Sequence, residues 1–219
     1  MGTRMDHSYL PDEFFLIAHD EFSGKLRISQ DLLGCGLVGA QLADLVMARR
    51  IGIEAGRVLI TDTPGDAGDE VGAYVIETLT RQTSTHSVRV WIETFADVLY
   101  ELVGRRLIAA GVVRRESGGR QLMRKRPDRF PAVDLLAAAR PRLRIEHMLR
   151  SPEEFDLPGA VLAVLVDALG AEPVLDPELD RTAVRELCAR LETNLPVHLR
   201  ALIEGVRAAV AAVSLTIRR

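Results

Sequence analysis

The segment Leu157 to Leu169 (LPGAVLAVLVDAL) constrains this chain more than any other. Asp167 is its only charge, so a helix here has no polar face and must be enclosed by other elements. It is far shorter than the roughly 20 apolar residues of a membrane span, and it reads as a fully buried core helix. Segments able to cover it follow the helical period. Leu33, Leu37, Leu42, Leu45 and Val46 mark a helix over 31–50, and a broad stripe from Val88 to Ile108 marks one helix or two over 84–110. Helices are also expected from about Glu70 to Leu79, over 135–149 despite Pro141, over 182–192 and over 196–217. Phe14 to Ala18 is apolar but too short for periodicity to choose between strand and helix. Ile51 to Thr61 alternates around Glu54-Ala55-Gly56 and predicts a strand pair. After Gly111, Val112-Val113 lead into a hairpin with Gly118-Gly119 expected at its turn.

The fold class is therefore mainly α. A single globular domain over 13–219 is expected, with an apolar helical core, surrounding amphipathic helices and one or two short β-hairpins, behind a flexible leader over 1–12. A chain of 219 residues with 47% hydrophobic content can bury such a core. Asp6, Asp12, Glu13, Asp20 and Glu21 break any signal-peptide pattern. The two cysteines, Cys35 and Cys188, lie far apart and read as buried small residues, not a metal set or a staple. Only Lys25 and Lys125 are lysines among the 28 basic residues, an arginine excess typical of GC-rich genomes. It points to a bacterial cytoplasmic protein.

Several constellations carry possible chemistry. Gly34-Cys35-Gly36-Leu37-Val38-Gly39 spells G-x-G-x-x-G, with Glu54 placed 20 residues after Gly34. A dinucleotide site needs a buried strand running into those glycines; Ser29-Gln30-Asp31-Leu32-Leu33 is not one, and close helix packing is the better reading. Asp62, Asp66, Asp69 and Glu70 fit no calcium loop and read as a solvated loop with capping carboxylates. His7, His19, His86, His147 and His198 form no i, i+4 pair, and no nucleophile elbow or Cys–His pairing is legible. No cofactor, no metal and no enzyme is expected.

Charge is more informative. The total is −3, against a chain that wraps nucleic acid. Yet Arg114, Arg115, Arg120, Arg124, Lys125, Arg126 and Arg129 put seven cations within sixteen residues, opposed only by Glu116 and Asp128. Leu122-Met123 supply an apolar tip between them. Such a pattern suits an anionic lipid surface. The alternative reading is a winged-helix-like DNA-binding regulator, with Arg105 and Arg106 on a recognition helix and the basic hairpin on phosphates.

Read in order, LIAHDEFSGKL (16–26), GLVGAQLADLVMARRI (36–51), DTPGDAGDEVGAYVIETL (62–79), SVRVWIETF (87–95), RLIAAGVVRR (106–115) and Arg129-Phe130-Pro131 resemble the Golgi phosphoprotein 3-like family. That family has eukaryotic members and many bacterial, especially actinobacterial, relatives. The resemblance implies a mostly helical domain with a protruding hairpin. It also implies a peripheral, non-enzymatic adaptor that binds phosphatidylinositol 4-phosphate and contacts membrane and other copies through that hairpin. The family's lipid pocket uses a tryptophan and several arginines, whose positions here hold Ser29, Val38, Asp97 and Tyr100. Without those cations the bidentate phosphate contacts are lost. The expectation is a cytoplasmic adaptor, peripheral on the inner face of the membrane, with altered or lost phosphoinositide specificity. Its partners would be anionic phospholipid headgroups, a protein client and a second copy.

Overall fold

A computed structural model describes residues 9–61, 69–118, 120–121, 124–125, 127–175 and 178–217. In order, the elements are α1 (Leu10–Ala18), α2 (Gln30–Met47), β1 (Ile51–Glu54), β2 (Arg57–Ile60), α3 (Glu70–Thr80), α4 (Val88–Ala109), β3 (Arg120–Gln121), β4 (Arg124–Lys125), α5 (Leu135–Arg150), α6 (Leu157–Ala168), α7 (Arg181–Asn194) and α8 (Val197–Ile217). Short 3-10 turns lie at Pro152–Glu154 and Glu172–Val174. The chain is mainly α, with two separate two-stranded antiparallel ribbons among the described residues, β1–β2 and β3–β4.

The uncharged segment behaves as its composition requires. Residues Gly159 to Val166 of α6 are all buried, enclosed by α2, α5, α7 and α8. The ends depart from the expectation: Pro158, Asp167 and Ala168 are half-buried, and Leu157 is 41% exposed, where Asp156 caps the helix by accepting the Gly159 amide at 2.7 Å. The second central element is α2, which packs on α1, α4, α6 and α8. Its glycines are what let it do so. A Cβ on Gly36 would lie 2.1 Å from the Phe14 ring, and one on Gly34 would lie 2.7 Å from Ala96 Cβ. The G-x-G-x-x-G string is thus buried mid-helix as a packing stripe, not at a strand-to-helix turn.

Helix starts follow local chemistry. Ser29, Asp69, Ser87, Asp134 and Asp180 each accept an amide in the first turn of the helix they precede, which satisfies a donor that helical geometry leaves orphaned. Helix α1 begins at Leu10, inside the stretch read as leader, and the short apolar run resolves as helix. Tyr9 offers no cap of its own. Asp44 of α2 supplies one instead, accepting the Leu10 amide at 2.9 Å. The Gly111 backbone, at φ 73°, ends α4 in the left-handed region that favours glycine and sends the chain into the hairpin.

Candidate functional site

The hairpin grows directly from the end of α4. Val113 bridges Ala132, Arg114 donates its amide to Pro131 O at 3.0 Å, and Glu116 and Arg129 exchange amide–carbonyl bonds at 2.9 Å. Further out β3 pairs β4 in the register Arg120↔Lys125 and Gln121↔Arg124. That register corrects the expected turn. The reversal is not at Gly118-Gly119, because β3 begins after them and only Leu122 and Met123 separate the paired strands. Gly118 instead lies along one arm, its amide donated across the ribbon to Asp128 at 3.0 Å. Leu122, Met123 and Arg126, three of the residues expected to touch lipid, lie outside the described residues.

The cations of the cluster divide into two groups. Arg115 forms a fork with Glu101 of α4 at 2.7 and 2.9 Å, donates through Nε to Asp128 at 2.7 Å, and lies over the Phe130 ring. Those hydrogen bonds, to Glu101 first and then to Asp128, hold the guanidinium even more firmly protonated. Arg115 therefore pins the hairpin base to α4. Arg114 pairs with Glu116 at 2.8 Å, both largely exposed, a contact worth little in water. Arg120, Arg124 and Lys125 lie in the paired strands β3 and β4. Arg129 lines a recess of about 260 Å³ with Lys25, Leu26, Pro127 and Asp128.

Under the hairpin base lies a cleft of about 400 Å³, lined by Gln30, Asp97, Tyr100, Glu101, Arg115, Pro127 and Asp128. A neighbouring recess of about 130 Å³ shares Gln30, Asp97 and Tyr100 and adds Asp31. Asp97, Tyr100 and Glu101 stand at i, i+3 and i+4 on one stripe of α4, which is why they converge. Burial first, and the nearby Asp128 carboxylate second, push the Tyr100 hydroxyl up to about 12. The cleft gathers the positions that the family resemblance singled out: Asp97 and Tyr100 line it, and Ser29 caps α2 next to Gln30. Val38 does not take part, being 1% exposed inside α2. Asp31, Asp97, Glu101 and Asp128 outnumber Arg115, whose fork is already filled. A phosphate placed here would meet carboxylates where it needs donors. Gln30, Asp31, Glu101 and Asp128 were not singled out for this place by the sequence, although the α4 stripe alone could have flagged Glu101.

The remaining candidates resolve as structure. Arg106, proposed for base reading, donates through Nε and Nη2 to Asp12 at 2.9 and 2.7 Å, meets Asp69, and lies 4.8 Å from the centre of the Tyr9 ring. It faces the protein, so the recognition-helix role fails for it, although Arg105 is exposed. Cys35 and Cys188 are free and buried, and burial pushes their thiols up to about 11 and about 12. Among the described residues no group of acids, histidines and cysteines could hold a metal ion, and no helix is long and apolar enough to cross a membrane. Asp69 caps α3 as expected of a carboxylate in that loop; Asp62 and Asp66 lie outside the described residues.

The sequence profile of one family, described as Golgi phosphoprotein 3 (GPP34), matches residues 10–213 of the 219. The chain belongs to the Golgi phosphoprotein 3 family. The match starts at the first residue of α1 and runs through most of α8, so it spans the whole helical core and the hairpin. No curated protein matches the chain. Within this Golgi phosphoprotein 3-family chain, the cleft beside the hairpin carries three carboxylates, Asp97, Glu101 and Asp128, against the one cation Arg115.

Proposed function

We propose that the protein is a non-enzymatic peripheral adaptor that docks on anionic membrane through its basic hairpin, without reading a phosphoinositide headgroup. The observation that carries this reading is the antiparallel ribbon that leaves α4 at Val113 and returns at Ala132, with Arg120, Arg124 and Lys125 in its paired strands and its base clamped by Arg115. Several cations gathered on one ribbon suit attraction to a negative leaflet at about 1 kcal/mol per charge. Arg114, Leu122, Met123, Arg126 and Arg129 complete the proposed surface; Arg115 is withdrawn from it because Glu101 and Asp128 engage it. The acid-lined cleft supports the second half of the reading, since among the described residues its one guanidinium, Arg115, is already held by Glu101 and Asp128.

In this reading the protein sits on the cytoplasmic face and brings a protein client or a second copy to the membrane. Vesicle co-sedimentation tests it. At low salt the protein should pellet with anionic vesicles and stay in solution with neutral ones, and raising ionic strength should release it. Equal retention by both vesicle types would reject the reading.

A further inference from the structure

Beside the hairpin base the protein exposes an apolar ledge that the basic cluster does not explain. Phe22 is 73% exposed at the tip of the Asp20–Gly24 turn. The turn is fastened to the hairpin's return strand: Ala132 donates to Glu21 O and Phe130 donates to Gly24 O, each at 2.9 Å. Gly24 allows that approach, with φ at 64° and with backbone atoms of Phe130 and Pro131 where a Cβ would stand. Arg142 of α5 reaches Glu21 at 2.8 Å, so α5 closes the same corner. Val133, Leu135 and Leu136 follow the return strand directly, at 59%, 49% and 75% exposure, and Leu143 lies seven residues further along α5 at 49%. Scattered exposed leucines need no explanation, but large apolar side chains gathered at one corner mark an interaction surface.

The charges around the ledge identify the partner. Most acids of this corner are paired with cations: Asp20 and Glu21 with Arg27, Glu21 also with Arg142, and Asp128 with Arg115, while Asp134 keeps its charge as it accepts the Ala137 amide. Lys25 and Arg129, which line one recess with Leu26, Pro127 and Asp128, form no ion pair with another described residue. The hairpin continues from the same return strand. A cationic rim around an apolar ledge complements anionic lipid. A two-fold contact between copies would instead set the cationic rims against each other.

We propose that Phe22, Val133, Leu135 and Leu136 insert at the headgroup–acyl boundary of an anionic bilayer, with Lys25 and Arg129 at the headgroups. This rests on the peripheral-membrane reading and adds to it a hydrophobic anchor separate from the hairpin tip. Anchoring of this kind scales with the apolar area inserted and survives salt better than charge attraction alone.

The test places a reporter on the ledge. Phe22→Trp, bound to phosphatidylserine-containing vesicles, should shift its emission to the blue and be quenched by brominated acyl chains, whereas Trp91 of the parent protein, 3% exposed, should not respond. Phe22→Ser/Leu136→Ser should weaken partitioning about tenfold at raised salt, with an unchanged unfolding midpoint. If the parent protein binds vesicles but neither the reporter nor the double variant responds, the ledge is not an anchor while the membrane reading stands. If the parent protein binds no vesicle, both are overturned. A concentration-dependent dimer that Phe22→Ser/Leu136→Ser abolishes, without quenching of the tryptophan, would assign the ledge to a second copy and overturn the inference.

Discussion

Replacing Arg106 by leucine is the most informative perturbation of the fold. The guanidinium joins α4 to α1 through Asp12 and to the start of α3 through Asp69, with Tyr9 beneath it. The three side chains are only 22%, 16% and 10% exposed. Arg106→Leu fills the same space but leaves two desolvated carboxylates without their cation. Breaking a buried pair costs about 3–5 kcal/mol. Residual contact with water at Arg106 and Asp12 brings the expected loss to about 2–4 kcal/mol, or roughly 5–12 °C in Tm for a chain of this size. Burial already raises the Asp12 carboxyl, against the lowering by Arg106. Removing the cation raises it further above its unfolded value. The deficit should therefore be full at neutral pH and shrink as acidification protonates the native carboxyls. Asp69→Asn keeps an oxygen for the Gly72 amide, and combined with Asp12→Asn and Arg106→Leu it should restore most of the stability. Urea unfolding followed by circular dichroism measures all of this. A loss below about 0.5 kcal/mol, as for an ordinary surface change, or no recovery in the triple variant, would refute the reasoning.

Other outcomes follow from single contacts. Gly36→Ala gains about 1 kcal/mol of helix propensity but drives a methyl into the immobile Phe14 ring, so a net loss of about 1–2 kcal/mol is expected; a raised Tm would contradict the packing account. Burial, opposed by the bond to Phe15 O, lowers His19 to about 4, and burial raises Asp44 to about 7. His19 has a folded value below 6.5, so its contribution is lost as pH falls from 6.5 towards 4, while Asp44, with a folded value above 3.8, loses stability as pH rises from about 4 to 7. The two oppose each other: His19→Phe should steepen the decline of stability with rising pH, and Asp44→Asn should turn it into a rise, both read from urea midpoints across that window. Arg120→Gln/Arg124→Gln/Lys125→Gln should lower affinity for anionic vesicles about 100-fold at low salt, at about 1 kcal/mol per charge, with no change in unfolding midpoint; unchanged affinity would remove the hairpin from the interface.

Most of the architecture was legible in the sequence because it rests on short-range rules. The absence of a polar face on α6, the small residues of α2 and the capping carboxylate Asp69 each act within one or two turns. What failed depends on distant partners. Gly118-Gly119 is a sound local turn signal, but the ladder from Val113↔Ala132 to Gln121↔Arg124 sets the register and places the reversal elsewhere. The run of arginines likewise looked uniform. Only the fold shows Arg115 reaching back to Glu101 and Arg106 reaching Asp12, 94 positions away. The cleft was half readable: α4 spacing groups Asp97, Tyr100 and Glu101, while Gln30 and Asp128 reach it through the tertiary fold. Periodicity also could not say that Leu136 and Leu143 of α5 face outward, since their helix is amphipathic with arginine and leucine on the same side.

Headgroup selectivity at matched surface charge tests the central claim most directly. Vesicles containing phosphatidylinositol 4-phosphate and vesicles containing enough phosphatidylserine to equal their surface potential would be compared by flotation over a salt series. If cations on the hairpin hold the protein while the acid-lined cleft grips nothing, the two bind alike at every salt concentration and weaken together. Tighter, salt-resistant binding to phosphatidylinositol 4-phosphate alone would contradict the account.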